Sequence, residues 1–395
     1  MWIQSIASLR PFANSMKIQS RLPDLGTSIF SVMSKMAAEN EAINLSQGFP
    51  DFKVSEKLIE LIHQQMKAGN NQYAPMPGVP VLREIIASVI DQTYQHKVDP
   101  ELEITVTAGG TEAIFASIAG LISQGDEVIL FDPSYDCYDP AIRLNGGTPI
   151  HINLNPPDFS INWEEVNDKI TSQTKMIMIN TPQNPSGAVL TEVDLKTLEA
   201  IAIEHDILVL SDEVYERIIF DGLTHQSVLR FPDLASRSIA IFSFGKTFHA
   251  TGWKVGYAVA PKEITREIRK AHQFITFSVN TPVQMALAEY MQDASHYTSL
   301  SSFYQSKRDF FLDQIKDAPF KPLACHGSYF QLLSYKGISQ KPDLEMAEWL
   351  TKEHKLASIP ISVFYKDKTD NQVLRFCFAK GEETLKKAGE ILNQL

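Results

Sequence analysis

Two lysines stand close together after an apolar run. SIAIF, residues 238–242, reads as a buried strand, and it leads into SFGKTFHATGWKVGY, residues 243–257, which sets Lys246 and Lys254 among aromatics and glycines. Lysine is among the residues least often buried, so a lysine at a strand end has either escaped to solvent or been given a task. Three further apolar runs end in groups of complementary chemistry. EITVT is followed by Gly109, Gly110 and Thr111 at a helix start, where small residues let the backbone approach an anion and free N–H groups receive it. KMIMIN is followed by TPQNPSG, which contains Asn184, and ILVLS by Asp212, Glu213 and Tyr215. The set comprises a phosphate cradle (Gly110, Thr111, Ser243, Lys254), a carboxylate (Asp212), two hydrogen-bonding groups (Asn184, Tyr215) and a lysine nucleophile (Lys246). Pyridoxal 5'-phosphate requires this inventory. It needs an amine to condense with its aldehyde, an acid to keep its ring nitrogen protonated, donors to its ring oxygen and a seat for a dianionic phosphate.

Each piece has an ordinary alternative. A Gly-Gly before a helix is usually a tight turn, and the NP and SG dipeptides of TPQNPSG are common turn formers. Asp212 could cap a helix, Tyr215 could pack half-buried, and Lys254 taken singly reads as solvated. Four successive strand ends carrying complementary groups are what favour the chemical reading. A P-loop is excluded. Gly245-Lys246-Thr247 has the right ending, but the glycine required five positions before Gly245 is Ala240, and bulky residues lie between.

The elements that must position these groups alternate. DEVILF, KMIMIN, ILVLSD and SIAIFSF are short runs rich in Ile and Val, separated by helix-like stretches such as TEAIFASIAGLIS and TEVDLKTLEAIAIEHD. Near-continuous apolar strands alternating with helices predict an α/β protein whose mostly parallel sheet is sandwiched by helices. Ligands gather at the carboxyl ends of such strands. Towards the C-terminus, DLEMAEWLTKEHK and EETLKKAGEILNQL read as amphipathic helices around the strand VLRFCFA. That predicts a smaller α+β domain over 291–395, joined by an arm over 16–45, with a large domain over 46–290. Residues 1–15 contain one Arg and no acid and read as a disordered extension before Met16.

The chain has 395 residues, a net charge of −11 and no apolar run approaching a membrane span. The charge argues against nucleic acid as a partner. Three cysteines, few and far apart, fit a reducing, cytoplasmic setting with no metal spacing.

From about Ile43 to Leu395 the chain resembles the fold-type I, class I pyridoxal-phosphate aminotransferases, and within them the methionine and kynurenine branch. The resembling stretches are INLSQGFPDF, NQYAPMPGVPVLRE, TVTAGGTEA, GDEVILFDPSYDCY, NTPQNPSG, SDEVY, SFGKTFHATGWKVGY, HGSYF and LRFCFAK. The resemblance implies that Lys246 carries the cofactor, that Asp212 pairs with the pyridinium nitrogen, and that Asn184 and Tyr215 hold the ring oxygen. It further implies that Tyr135 stacks on the ring, that Gly109 belongs to the phosphate cradle, and that Arg375 clamps the substrate carboxylate beside Gly48 and Asn184. Tyr73 would reach the cofactor phosphate of a second subunit, which implies a homodimer. Many class I members have arginine where Lys254 stands; the charge is kept and the planar fork lost.

The pocket-lining segments of the branch correspond here to Phe49, Tyr73, Phe277 and Phe364. An aromatic-lined pocket without a second arginine implies methionine first, then other large apolar or aromatic amino acids, with a 2-oxo acid as acceptor. Carbon–sulfur β-elimination or a kynurenine-type transfer would use nearly the same residues. The non-enzymatic alternative is the effector-binding domain of a regulator, which would need a DNA-binding segment ahead of the catalytic pattern.

Overall fold

A computed structural model describes residues 18–395; the extension expected over 1–15 lies outside the described residues. Seven strands form the main sheet, in the spatial order Ile104–Thr107, Gly256–Val259, Ser238–Ser243, Leu208–Asp212, Thr174–Asn180, Glu127–Asp132, Thr148–Asn153. Gly256–Val259 runs antiparallel to both of its neighbours, and the remaining pairs are parallel. The sheet is therefore mostly parallel, as the apolar runs predict.

Successive side chains of a strand point to opposite faces, and here both faces are buried. Met176, Met178, Leu210, Ile239 and Ile241 pack into one core with Ile114 and Ile118 of the helix Gly110–Leu121 and Ile268 of the helix Lys262–Ile275. Their alternates Ile177, Ile179, Val209, Ala240 and Phe242 pack into the other, with Ile86 of the helix Pro80–Tyr94 and Leu195 and Leu198 of the helix Glu192–Glu204. That last helix starts on a capping box, Thr191 bonding the Asp194 amide while the Asp194 carboxylate returns to the Thr191 amide. The helix after EITVT ends at Leu121, short of the predicted Ser123, because Ile122 turns to extended backbone.

A second, four-stranded antiparallel sheet has the order Ile359–Pro360, Val373–Cys377, Phe330–Ser334, Lys321–Pro322. The helices Leu300–Gln314, Asp343–His354 and Glu382–Leu392 accompany it. Ile43–Asn44 pairs in parallel with Leu356–Ala357 as a separate two-stranded sheet, tying the segment ahead of the main sheet to the stretch between the helix Asp343–His354 and the strand Ile359–Pro360. Among the described residues no helix is long and apolar enough to cross a membrane, and no group of three or more His, Cys, Asp or Glu is placed to hold a metal ion.

Candidate active site

The carboxyl ends of the central parallel strands open into a cleft of about 270 Å³, closed on its other side by the second sheet. Asn180 and Asp212 end neighbouring strands in register. The Asn180 amide donates to the Asp212 carbonyl (2.8 Å), and its oxygen accepts from the Asn184 backbone N–H (2.8 Å). The loop carrying Asn184 is thereby fixed to the strand end.

Asp212 is buried. One carboxylate oxygen accepts from the Tyr138 hydroxyl (2.6 Å), the other from the Val214 amide (3.3 Å). No helix follows it, so helix capping does not account for the residue. Burial raises its pKa to about 6, against the lowering effect of those two hydrogen bonds and of Lys246. A carboxylate so placed favours a cation beside it.

Lys246 lies on the short helix Phe244–Thr247 just past the strand end. Burial lowers its pKa to about 8; Asp212 opposes that shift, while the charges of Lys254 and Arg375 reinforce it. The amine donates to the Tyr329 hydroxyl (2.9 Å) and lies 5.3 Å and 5.4 Å from the ring centres of Tyr215 and Tyr329. Folding has thus moved this lysine towards its nucleophilic, neutral form.

An anion seat lies nearby. Gly109, at φ +80°, precedes the helix Gly110–Leu121, whose first amides face the cleft without intrahelical partners. A Cβ on Gly109 would stand 3.3 Å from the Lys254 Nζ, a tight approach the flexible lysine can relieve, so it is the positive φ that favours glycine. Lys254 is exposed, as the solvated reading has it, yet its Nζ sits beside this helix start. Thr111 and Ser243 complete that part of the lining.

Arg375, in the strand Val373–Cys377, forms the opposite wall and is fully buried. It donates to the Asn184 Oδ1 (2.8 Å) and to the Ser46 carbonyl (2.9 Å), while its Nε has no partner among the described residues. Its guanidinium lies 3.9 Å from the centre of the Phe330 ring. Neither hydrogen-bond partner is a carboxylate, and burial lowers its pKa to about 10. Gly48 stands beside it. A Cβ there would come within 2.8 Å of Phe330.

The family profile for aminotransferase class I and II matches residues 40–392 of this chain. The chain belongs to the class I and II aminotransferases. Methionine aminotransferase of Escherichia coli (strain K12) is 48% identical over 95% of this chain and 98% of its own. Human kynurenine–oxoglutarate transaminase 1 is 34% identical over 91% of this chain and 94% of its own. Among solved structures, Escherichia coli YbdL, whose structure and reactivity identify a methionine aminotransferase function, superposes with a TM-score of 0.94 at 48% identity. That match covers 96% of this chain and 100% of the other. Aspartate aminotransferase from Thermus thermophilus with maleate gives 0.88 at 29% identity, covering 96% and 100%.

Of the expected residues, this aminotransferase brings Gly48, Gly109, Gly110, Thr111, Tyr135, Asn184, Asp212, Tyr215, Ser243, Lys246, Lys254 and Arg375 into one cleft. Four aromatics lie elsewhere. Tyr73 (83% exposed) and Phe277 (48% exposed) pack edge to face on each other at 5.6 Å, outside the cleft of their own chain. Phe49 (45% exposed) turns its ring under the Lys380 ammonium. Phe364 is core, behind Arg375 at 5.7 Å. Among the described residues the aromatic rings that do line the cleft, besides Tyr135 and Tyr215, are Phe30 and Phe330. Phe30 comes from the helix Ile29–Glu39, and its helical spacing marks it only as core; Phe330 lies in the quoted motif HGSYF. Asn180, Tyr138 and Tyr329 are further site residues that the sequence reading passes over.

Proposed function

We propose that this aminotransferase uses pyridoxal 5'-phosphate to move the amino group of methionine, and of other large apolar or aromatic amino acids, to a 2-oxo acid. Support for the cofactor comes from the donor set. The cleft offers a glycine-lined helix start with Lys254 beside it, a buried carboxylate that favours a cation, and a lysine shifted towards the free amine. Lys246, Asp212, Asn184, Tyr215, Tyr135, Gly109, Gly110, Thr111, Ser243 and Lys254 would hold the group. When bound it supplies an aldehyde that condenses with amines and a pyridinium ring that withdraws electrons from the substrate's α-carbon.

The chain's own residues do the rest. Asp212 would keep the proton on the ring nitrogen, and Tyr138 and Val214 hold that carboxylate in place. Lys246 Nζ would take the proton from the substrate's α-carbon and hold it for return on the same side of the cleft. Arg375 fixes the plane of the substrate carboxylate through its fork, which a lysine would not do. Phe30, Phe330 and Tyr135 exclude water.

Arg375 carries the substrate reading. It is the only arginine lining the cleft among the described residues, so a distal carboxylate would be desolvated without a partner. An apolar, polarisable side chain suits the surrounding rings; each sulfur–aromatic contact contributes about 0.3–1.5 kcal/mol. In steady-state assays with a 2-oxo acid acceptor, methionine and the aromatic amino acids are expected to exceed aspartate in kcat/KM by at least about tenfold. Aspartate ranking first would show that a second cation reaches the pocket and would overturn this substrate class.

The exposed Tyr73–Phe277 pair suits a homodimer in which Tyr73 reaches the second subunit's phosphate seat. The two sheets support a large domain over 46–290 and a small one over 16–45 and 291–395. Three free cysteines fit a cytoplasmic setting.

A further inference from the structure

We infer that Tyr329 is a positioning residue that holds the free amine of Lys246 and ties it to the same short segment that supports Arg375. The inference deepens the reading of Lys246 as the group that moves the α-proton. Its geometry stands without the cofactor.

Tyr329 is fully buried and sits at the start of the strand Phe330–Ser334. Its hydroxyl has one proton to give, and the Gly48 carbonyl takes it at 2.6 Å. The contact with Lys246 at 2.9 Å therefore runs the other way, with the amine donating. Burial holds the phenol well above its ordinary pKa, so it remains a protonated donor to Gly48 across the working range. A neutral lysine that donates one N–H to Tyr329 has its lone pair turned away from that phenol. That orientation leaves its lone pair free for the cleft.

The ring has little freedom. It packs edge to face on Tyr215 at 5.1 Å and on Phe330 at 4.9 Å, with Tyr304 at 5.7 Å behind it. Tyr304 in turn shares a hydrogen bond with His249 Nδ1 (2.9 Å), and His249 packs on Phe52 at 4.9 Å, four residues beyond Gly48.

The segment Ser46–Gln47–Gly48 is where two lines meet. The Ser46 carbonyl accepts from Arg375, and the Gly48 carbonyl accepts from Tyr329. The guanidinium that suits the substrate carboxylate and the amine that suits the α-proton are thus hydrogen-bonded to one three-residue stretch, the second through a single phenol. Any displacement of that stretch when a carboxylate reaches Arg375 is passed to Lys246 by Tyr329.

The test uses cofactor-free, full-length protein, so that it does not depend on the proposed cofactor. The pKa of Lys246 is read from the pH dependence of its acetylation by acetic anhydride, followed by peptide mapping. A hydrogen-bond acceptor stabilises the ammonium more than the amine, so Tyr329→Phe is expected to lower that pKa by about one unit. In the cofactor-loaded variant, kcat is expected to fall by about tenfold or more with a smaller change in KM. Tyr304→Phe removes a phenol from the same aromatic cluster without touching Lys246 and is expected to leave the lysine pKa in place. If Tyr329→Phe does not fold, 3-fluorotyrosine at position 329 keeps the contacts and weakens the oxygen as an acceptor, with a smaller shift in the same direction. An unchanged lysine pKa in the Tyr329 variants, or an equal shift in Tyr304→Phe, would overturn the inference. Cofactor trapped on a residue other than Lys246 would instead sink the functional reading and leave this geometry intact.

Discussion

Lys246→Ala protein is expected to fold normally, to bind pyridoxal phosphate only non-covalently, and to lose at least about 10²–10⁴-fold in kcat/KM, the range a positioned proton-transfer group contributes. Among the described residues no other lysine lines the cleft except Lys254, which lies against the helix start beside Gly109. Borohydride trapping and peptide mapping of the parent protein should place the cofactor on Lys246; a label on Lys254 would reverse the two roles. Stability moves in the opposite direction from activity. Folding lowers the Lys246 pKa from its ordinary 10.5 to about 8, so the unfolded chain holds more protons between those values. Stability therefore rises with pH through that window, and the penalty is complete below about pH 8. At pH 7 the cofactor-free Ala variant is expected to melt at or above the parent, a result calorimetry reads directly.

Asp212→Asn makes a second separation of roles. As a pyridinium partner, Asp212 is needed for its charge, and the Asn variant is expected to lose at least about a hundredfold in kcat. As a fold element it is a liability. Folding raises its pKa from 3.8 to about 6, so the folded chain holds the proton in that window; stability falls as pH rises through it and the penalty is full above about pH 6. Asn can still accept from Tyr138 and Val214 through its single oxygen, one contact at a time, without the desolvated charge. The cofactor-free Asn variant is thus expected to lose its share of the pH dependence between pH 4 and 6, followed by melting temperature at each pH. Near-parent turnover in this variant would show that the carboxylate serves only its local hydrogen bonds. A residue whose removal relieves the fold and stops the reaction is held there for chemistry.

Much of this was legible in the chain, for a definable reason. The groups at the ends of EITVT, KMIMIN, ILVLS and SIAIF are placed by the sheet itself, so locating the strands locates Gly109, Asn184, Asp212 and Lys246. Arg375 was legible only through resemblance, because nothing local to LRFCF says which wall it faces. Phe30 and Tyr329 belong to other segments of the chain, and Tyr329 meets Lys246 across 83 positions. No periodicity records such a meeting. Tyr138 is different. It follows Tyr135 by three residues in DPSYDCY, so the two could be expected on one side of a turn, and a phenol there could have been matched to Asp212. The aromatics assigned to the pocket lie outside the cleft of their own chain for a related reason. Phe49, Tyr73 and Phe277 were placed by motif, and motif says which loop a ring belongs to without saying which way the loop turns it.

The stretch between Phe244 and Val255 leaves the sheet and returns to it at one point. Ser243 faces Gly256 across adjacent strands, and the Phe244 amide closes on the Val255 carbonyl at 3.1 Å. Both cleft lysines ride on this excursion, so a bound cofactor would pin it twice from within while the strands pin it from below. Bounded in that way, the excursion is its own unit of local opening, able to loosen without the sheet loosening. Deuterium uptake on cofactor loss is expected to concentrate in the amides of 244–255 and to spare the flanking strands. A stored sample could then keep its melting profile while this one segment frays, and protease nicking between Phe244 and Val255 would mark its age before calorimetry registered any change.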